Sequence, residues 1–479
     1  MQFALWGHTP AARLQVAGCF REYNSRYKIN IMQRRKFLQT TTLLAGATAL
    51  PKPGRAAAPK DRLRVAFIGL GIQGKQDLAA TASHPDVDVV ALCDVDARPL
   101  MEVSKDYPAA KTYADYRVML DEMEEEIDAV LVCTPDHSHA PASLEAMKLG
   151  KDVYCQKPLT HYVAEAREMD RMARAHNTVT QMGIQVHSFY DYVLGTQLIR
   201  DGLIGKVSAV RAWSPKNWGS DEAPPFEQDA VPEGLDWNLW TGTAPARAFV
   251  EGKYHPGNWR KYMDYGCGTL GDMGVHIFDT PYNALELDVP LTIINECRPP
   301  NGYGFPENNV VTYEFPGTAY TADRLTWMWS DGPGAPDDHP DLQLPNGDEL
   351  PDQGALFIGE NGRRLLLPHF MLEPKLIVNG EYRDISAEIA AAEDELGIDV
   401  PVRNYETESP KHYHQWVDAC LGRGETTAPF RYAARLTEVI LLGVIAGRFP
   451  GQTLHWDAEA GRFREEAANM YLMGGEREF

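Results

Sequence analysis

Two stretches of this chain hold residue types at spacings that could do chemistry. The first runs Gly266-Cys267-Gly268-Thr269-Leu270-Gly271-Asp272-Met273-Gly274-Val275-His276-Ile277-Phe278-Asp279. If Leu270 onward is helical, Asp272 and His276 lie four residues apart and stack on one face. A carboxylate one turn from an imidazole can orient the ring and tune it for proton transfer. Asp279, three residues beyond His276, could extend the network. The same residue types suit a buried helix with a satisfied histidine, or a metal site. The motif alone leaves these readings open.

The second stretch, Arg64 to Gly74, is an apolar run that ends in Gly69-Leu70-Gly71-Ile72-Gln73-Gly74. Gly69 permits a tight turn, Gly71 lets backbone approach a pyrophosphate, and Gly74 lets helix and strand pack closely. Ile72 and Gln73 open a helix whose free N–H groups face the phosphates. A second apolar strand, 87–93, ends at Asp94, twenty residues after Gly74. A carboxylate there would bind the ribose 2′-hydroxyl. With Asp96 close by and no Arg directly after Asp94, NAD is favoured over NADP. An ordinary strand–turn–helix with a surface Asp would not need all these features in register.

The elements that must position these residues follow from pattern. From 61 to 185, strand and helix signals alternate. A third strand at 127–133 runs into Thr134-Pro135, and a helix follows from about His139 to Lys148. A fourth strand, 152–155, leads into Gln156-Lys157-Pro158, and a further helix covers about 161–176. Such alternation implies a doubly wound parallel sheet with ligands at the carboxyl ends of its strands. The glycine run, Asp94, Thr134, Pro135 and Lys157 all fall there. After 186 the texture changes to period-two segments, at 207–213, 310–315 and 325–329. Residues 355–358 and 364–367 flank Asn361-Gly362, a hairpin signal. Residues 331–353 read as a long loop, and 412–421 and 433–446 as helices. The fold class is therefore α/β. A nucleotide-binding domain at 61–185 precedes a domain at 186–479 with a large, mainly antiparallel open sheet.

Residues 1–58 read differently. Gln33-Arg34-Arg35-Lys36-Phe37-Leu38 precedes a mildly apolar stretch and then Ala56-Ala57-Ala58. This is the pattern of a twin-arginine export signal with a cleavage site, implying a periplasmic destination. Met32 sits two residues before the arginine pair, so residues 1–31 read as an upstream extension. The formal charge is −21; residues 1–58 carry nine basic and one acidic side chain, so the remainder is near −29. That argues against nucleic acid or an anionic membrane as partner. No run of eighteen apolar residues suggests membrane insertion. The seven cysteines form no Cys-x-x-Cys pair, and no metal site is expected.

Taken together, the glycine run with Asp94, Thr134-Pro135 and the loop to His139, Gln156-Lys157-Pro158, and Gly-Asp-Met-Gly-x-His-x-x-Asp resemble the Gfo/Idh/MocA oxidoreductases. The resemblance covers essentially all of 61–479 and is closest to exported members. It implies a Rossmann domain followed by an α/β domain whose open sheet often forms a dimer face. It also implies a nicotinamide cofactor and a sugar, glycoside or cyclitol substrate. By resemblance, Lys157 matches the lysine of a Glu-Lys-Pro motif, though Gln156 stands where the glutamate is usual. Such a lysine can hydrogen-bond the reacting carbinol. Asp272 and His276 match the family's acid and histidine, with His276 as general base or acid and Asp272 as its orienter or a substrate ligand. His139 and Gln185 are expected beside the cofactor, and Trp259 and Arg260 at the substrate. Export implies NAD held tightly and recycled within the site. A second reading is an NAD-dependent glycosidase working by transient oxidation, elimination and re-reduction. A third is a non-catalytic sugar- or NAD-binding homologue.

Overall fold

The first strand, β1 (Leu63–Ile68), is buried almost throughout, as expected of a strand with helices on both sides of its sheet. This computed structural model describes residues 61–398, 401–475 and 477, so the twin-arginine segment lies outside the described residues. After β1 come α1 (Ile72–Ala82), β2 (Val87–Cys93), α2 (Ala97–Val103), β3 (Lys111–Tyr113) and α3 (Tyr116–Glu122). They are followed by β4 (Ala129–Val132), α4 (His139–Lys148), β5 (Asp152–Gln156), α5 (Val163–His176) and β6 (Thr180–Gly183). The six strands pair in the order β3-β2-β1-β4-β5-β6, all parallel. The order reverses at β1, so a crevice opens between the carboxyl ends of β1 and β4.

The chain leaves this sheet through α6 (Tyr190–Arg200) and enters β7 (Val207–Ser214). Then come α7 (Trp237–Thr241), α8 (Val275–Ala284), β8 (Thr292–Glu296), β9 (Asn309–Pro316) and β10 (Thr321–Asp331). Next are β11 (Gly354–Ile358), β12 (Arg363–Pro368), β13 (Lys375–Val378), β14 (Glu381–Arg383) and α9 (Ser386–Leu396). Last are α10 (Tyr405–Cys420), α11 (Phe430–Ala446), β15 (Leu454–Asp457) and β16 (Arg462–Phe463). A second sheet has ten strands in the order β14-β13-β12-β11-β7-β10-β9-β8-β15-β16. Among the described strands of this sheet, only β7 and β10 pair parallel; the other pairs are antiparallel. Asn361 and Gly362 both take positive φ in the β11–β12 hairpin, as that turn requires.

One face of the second sheet buries alternate residues. Val311, Tyr313 and Phe315 of β9 and Leu325, Trp327 and Trp329 of β10 are each fully covered. Phe278 of α8 stacks on Trp327 with ring centroids 4.1 Å apart. Part of the other face is covered by the 331–353 loop, where Leu342 packs with Trp213, Leu356, Leu366 and Ile377.

The helices near the end depart from expectation. α10 starts seven residues earlier than its pattern suggests, because Asn404 caps it through Thr407 N–H and Pro410 is held inside it. Its Tyr413, Trp416 and Val417 pack on β1, β4 and β5 residues such as Val65, Phe67, Leu131 and Tyr154. The parallel sheet is thus completed by a helix from the far end of the chain. Trp416→Ala should destabilise the protein by about 3–5 kcal/mol. The check is a lower midpoint in chemical denaturation; an unchanged midpoint would show that α10 does not help hold the sheet.

Candidate active site

The strand-end loops converge on the crevice. Gly69 has φ +91°, and a Cβ there would lie 2.3 Å from the carbonyl oxygen of Cys133. A Cβ on Gly74 would lie 2.1 Å from the carbonyl oxygen of Gly69. Both glycines are required by the protein itself. Gly71 differs: a Cβ there would meet no described atom within 4 Å. It is the N-cap of α1, and no side chain caps that end. The orphan N–H groups of the first turn therefore face open space, as an anion site needs. Ile72 beside them is 81% exposed, while Gln73 turns inward and donates to Asp77 Oδ1 at 2.8 Å.

Asp94 accepts from Leu70 N–H at 2.6 Å and from Asp96 N–H at 2.8 Å, tying the glycine loop to the end of β2. Burial raises its carboxyl above the ordinary value, and these two donors oppose the shift. The nearby Arg98 is engaged by Asp96 at 2.6 Å, and Asp96 also bonds His255. Thr134 and Pro135 stay part-exposed beside Gly69.

Two residues expected at the cofactor have other partners. His139 is fully buried, with Nδ1 2.8 Å from the carbonyl oxygen of Pro158 and Nε2 2.9 Å from that of Thr134. Burial lowers its pKa to about 4. It sits between the Thr134 loop and the Lys157-Pro158 turn, both ring nitrogens facing protein carbonyls, and the neutral ring donates its one N–H to one of them. Gln185 is also buried, and its amide donates to the Tyr413 hydroxyl at 2.7 Å.

Across the crevice, Lys157 at the end of β5 reaches the second layer. Its Nζ donates to Asp272 Oδ1 at 2.8 Å and to the Asp272 carbonyl oxygen at 3.0 Å. Arg260 Nε donates to the same Oδ1 at 3.1 Å. Burial alone would raise the Asp272 carboxyl; Lys157 and Arg260 outweigh it and hold it well below the carboxylate range. No hydrogen bond joins Asp272 to His276 among the described residues, though each feels the other's field. Leu270–Gly274 is a π-helical turn, and only from Val275 does α8 continue as α-helix. Asp272 of this turn is bonded by both cations.

His276 Nδ1 is buried without a hydrogen-bond partner among the described residues. Burial and the fields of Lys157 and His369 push its pKa well below the ordinary histidine value, with Asp272 opposing. The ring is therefore a neutral imidazole. Asp279 does not extend this network; it pairs with His187 at 2.9 Å and accepts from Tyr432 at 2.6 Å. Trp259 is buried and its face is covered by the Arg260 guanidinium, 4.2 Å from the ring centroid. It cannot offer that face to a sugar. The same guanidinium lies 5.5 Å from the ring centroid of half-buried Trp218.

Sequence reasoning missed three site residues. His369, just past β12, has its ring centroid 5.9 Å from that of His276, and its Nδ1 is bonded to the Tyr192 hydroxyl. No motif marks it, because the second sheet brings it in from a hairpin end. Asp136 is buried, and burial pushes its pKa up to about 7 against the fields of Arg260 and Lys157. Asp77 is fully buried on the inward face of α1. It had a signal: the buried positions of α1 are Gly74, Asp77, Leu78 and Thr81, a helical period with an acid in it. Among the described residues, no group of His, Cys, Asp and Glu could hold a metal ion.

A 3-2-1-4-5-6 parallel sheet with a bare-capped helix behind Gly-x-Gly-x-x-Gly defines a dinucleotide-binding protein. Comparison with known proteins makes the class specific. A family model described as oxidoreductase family, NAD-binding Rossmann fold, matches residues 63–184. Its companion, the C-terminal alpha/beta domain, matches 191–298. Over residues 63–184 and 191–298 the chain matches the two domains of the Gfo/Idh/MocA oxidoreductase family. It is 29% identical over 192 residues to a glycosyl hydrolase family 109 protein of Stenotrophomonas maltophilia, covering 38% of this chain and 42% of that protein. It is 24% identical over 225 residues to levoglucosan dehydrogenase of Pseudarthrobacter phenanthrenivorans, covering 45% and 50%. The chain thus spans about half the length of these curated relatives. A solved oxidoreductase domain protein from Kribbella flavida shares the fold, with TM-score 0.58, 19% identity, and coverage of 83% of this chain and 99% of that one. So does levoglucosan dehydrogenase in complex with NADH and levoglucosan, with TM-score 0.58, 14% identity, and coverage of 82% and 99%.

The residues around the glycine loop fit such a cofactor: the open face at Gly71 is where a pyrophosphate would lie. Gly71→Val should leave the melting temperature within about 2 °C while weakening NADH binding about a hundredfold, since no protein atom is in the way. Unchanged NADH affinity in a titration would place the pyrophosphate elsewhere.

Proposed function

We propose that the chain is an exported NAD-dependent oxidoreductase that moves hydride between nicotinamide and a hydroxyl-bearing carbon of a sugar, glycoside or cyclitol. The observation that carries this reading is the Lys157–Asp272 contact, which joins the carboxyl end of a cofactor-binding strand to the second layer. Bound NAD supplies the hydride acceptor. Lys157 donates a hydrogen bond to the reacting oxygen and stabilises charge as it develops there. Asp272, held ionised by Lys157 and Arg260, fixes the ammonium group and accepts from a neighbouring substrate hydroxyl. Neutral His276 takes the hydroxyl proton in oxidation and returns it in reduction. Asp94, with Arg98 engaged by Asp96, favours NAD over NADP. A neutral carbohydrate suits the acidic chain, and the open part of the second sheet suits pairing with a second copy.

The second reading, an NAD-dependent glycosidase with no net redox, is supported by one added feature. His276 and His369 put two imidazoles on separate elements, their ring centroids 5.9 Å apart. Oxidation of a carbinol needs one proton acceptor; elimination beside the new carbonyl needs a second. Native mass spectrometry and a panel of aryl glycosides separate the readings. Stoichiometric rise of the reduced-nicotinamide absorbance supports the dehydrogenase. Cleavage of the aglycone without that rise supports the glycosidase. Export through the arginine pair at 34–35 rests on the sequence, and its test is loss of the mature form from the periplasm when both arginines become lysine.

Two outcomes are expected of purified protein. Lys157→Ala and His276→Gln each lower kcat/KM by about 10²-fold or more, with NADH affinity kept in His276→Gln. Wild-type rates in both variants would sink the assignment. The pH profile has a definite sign: a base whose pKa is lowered stays unprotonated down to that lowered value. The acid limb of kcat/KM for oxidation should therefore lie below the ordinary histidine value, about pH 6.5. A limb at or above that value would show that His276 is not the base.

A further inference from the structure

Gln156 stands where the resembling motif carries a glutamate, so the strand end before Lys157 lacks its carboxylate. A carboxylate of another element meets Gln156 there. Asp77, three residues after Gly74 on α1 and fully buried, accepts from Gln156 Nε2 on Oδ2 at 2.7 Å. Its Oδ1 accepts from Gln73 Nε2 at 2.8 Å and from the Tyr413 hydroxyl at 2.6 Å. Each of these segments borders the crevice. Gln73 belongs to the glycine loop, and Gln156 precedes Lys157. Tyr413 in turn accepts from Gln185, where the chain leaves β6. Gln156 is fixed at its other end too, since its Oε1 accepts the Lys157 N–H at 3.1 Å. Its amide also lies against Gly183, where a Cβ would come within 2.7 Å of it.

The directions of these bonds are set by chemistry. Amide NH₂ groups only donate, and the single Tyr413 proton is committed to Asp77 because Gln185 donates to that oxygen. Asp77 is thus an acceptor on both oxygens; burial raises its pKa, and these donors oppose that shift. We infer that Asp77 is a positioning residue that, from α1, locks the Lys157 strand end to the glycine loop. The inference rests on the reading of this crevice as the cofactor site.

A charge exchange between the two positions tests it. In Asp77→Asn, the side-chain oxygen still accepts from Gln73 and Tyr413, but the new NH₂ meets the Gln156 NH₂, donor to donor. Flipping Gln156 only moves the clash to the Lys157 N–H. In Gln156→Glu, two carboxylates face each other. In the double variant, the amide introduced at 77 donates to the carboxylate introduced at 156, and every other bond is kept. Titration with NADH, well below each melting temperature, should show each single variant about tenfold or more weaker and the double variant within about threefold of wild type. Tyr413→Phe, which removes one donor and keeps the ring, should fall between. Single variants that bind NADH as wild type does would overturn the inference, because a purely structural role leaves affinity intact at that temperature. A double variant no better than the singles, folded or not, would overturn it as well. Wild type that fails to bind NADH would overturn the cofactor reading, and this inference with it.

Discussion

The contact between Lys157 and Asp272 holds the site in its shape. It spans 115 residues of sequence and joins the end of a parallel strand to a turn in the second layer. Asp272 and Lys157 are each only 14% exposed, so neither charge is well hydrated. Removing one partner of such a pair leaves the other desolvated, at a cost of about 3–5 kcal/mol. Here a second cation, Arg260, shares the carboxylate, so the anion is over-compensated and stays ionised. Burial lowers the pKa of both His276 and His369, and the field of Lys157 adds to it at each ring. Protonation at the site is thus set by burial together with Lys157.

Much of this was legible because the physics is local. A parallel strand that must turn at once into a helix leaves no room for a Cβ at Gly69 or Gly74, and sequence displays that constraint directly. Alternation of strand and helix implies the right-handed crossovers of a doubly wound sheet. Period-two burial marks β9 and β10 for the same reason. The Asp272–His276 spacing was legible, whereas the π turn at Leu270–Gly274 was not. Glycines at 271 and 274 are the residues around which that wider turn is built. A Cβ at Gly271 would lie 2.2 Å from Cys267 Cβ, and one at Gly274 would lie 2.8 Å from Leu270 Cδ1.

What stayed hidden is what tertiary structure alone brings together. His139 looked like a ligand because its loop lines the crevice, yet both ring nitrogens face protein carbonyls. His369 looked like nothing, yet it stands across from His276. α10 was legible as a helix but not as the cover of a sheet begun more than three hundred residues earlier. In each case the deciding quantity is burial, which periodicity reports only for the element's own face.

The return of α10 bears on how the crevice works. Tyr154 of β5 stacks on Tyr413 at 5.0 Å, and the Tyr413 hydroxyl bonds both Asp77 and Gln185. α10, near the end of the chain, therefore braces the first strands. A shift of α10 would loosen the glycine loop, the Lys157 turn and the exit from β6 together, because one tyrosine serves all three. Such an arrangement couples cofactor grip to the integrity of the second layer. It also gives a physical reason why the nucleotide-binding segment should not hold its ligand well when cut away from the rest of the chain.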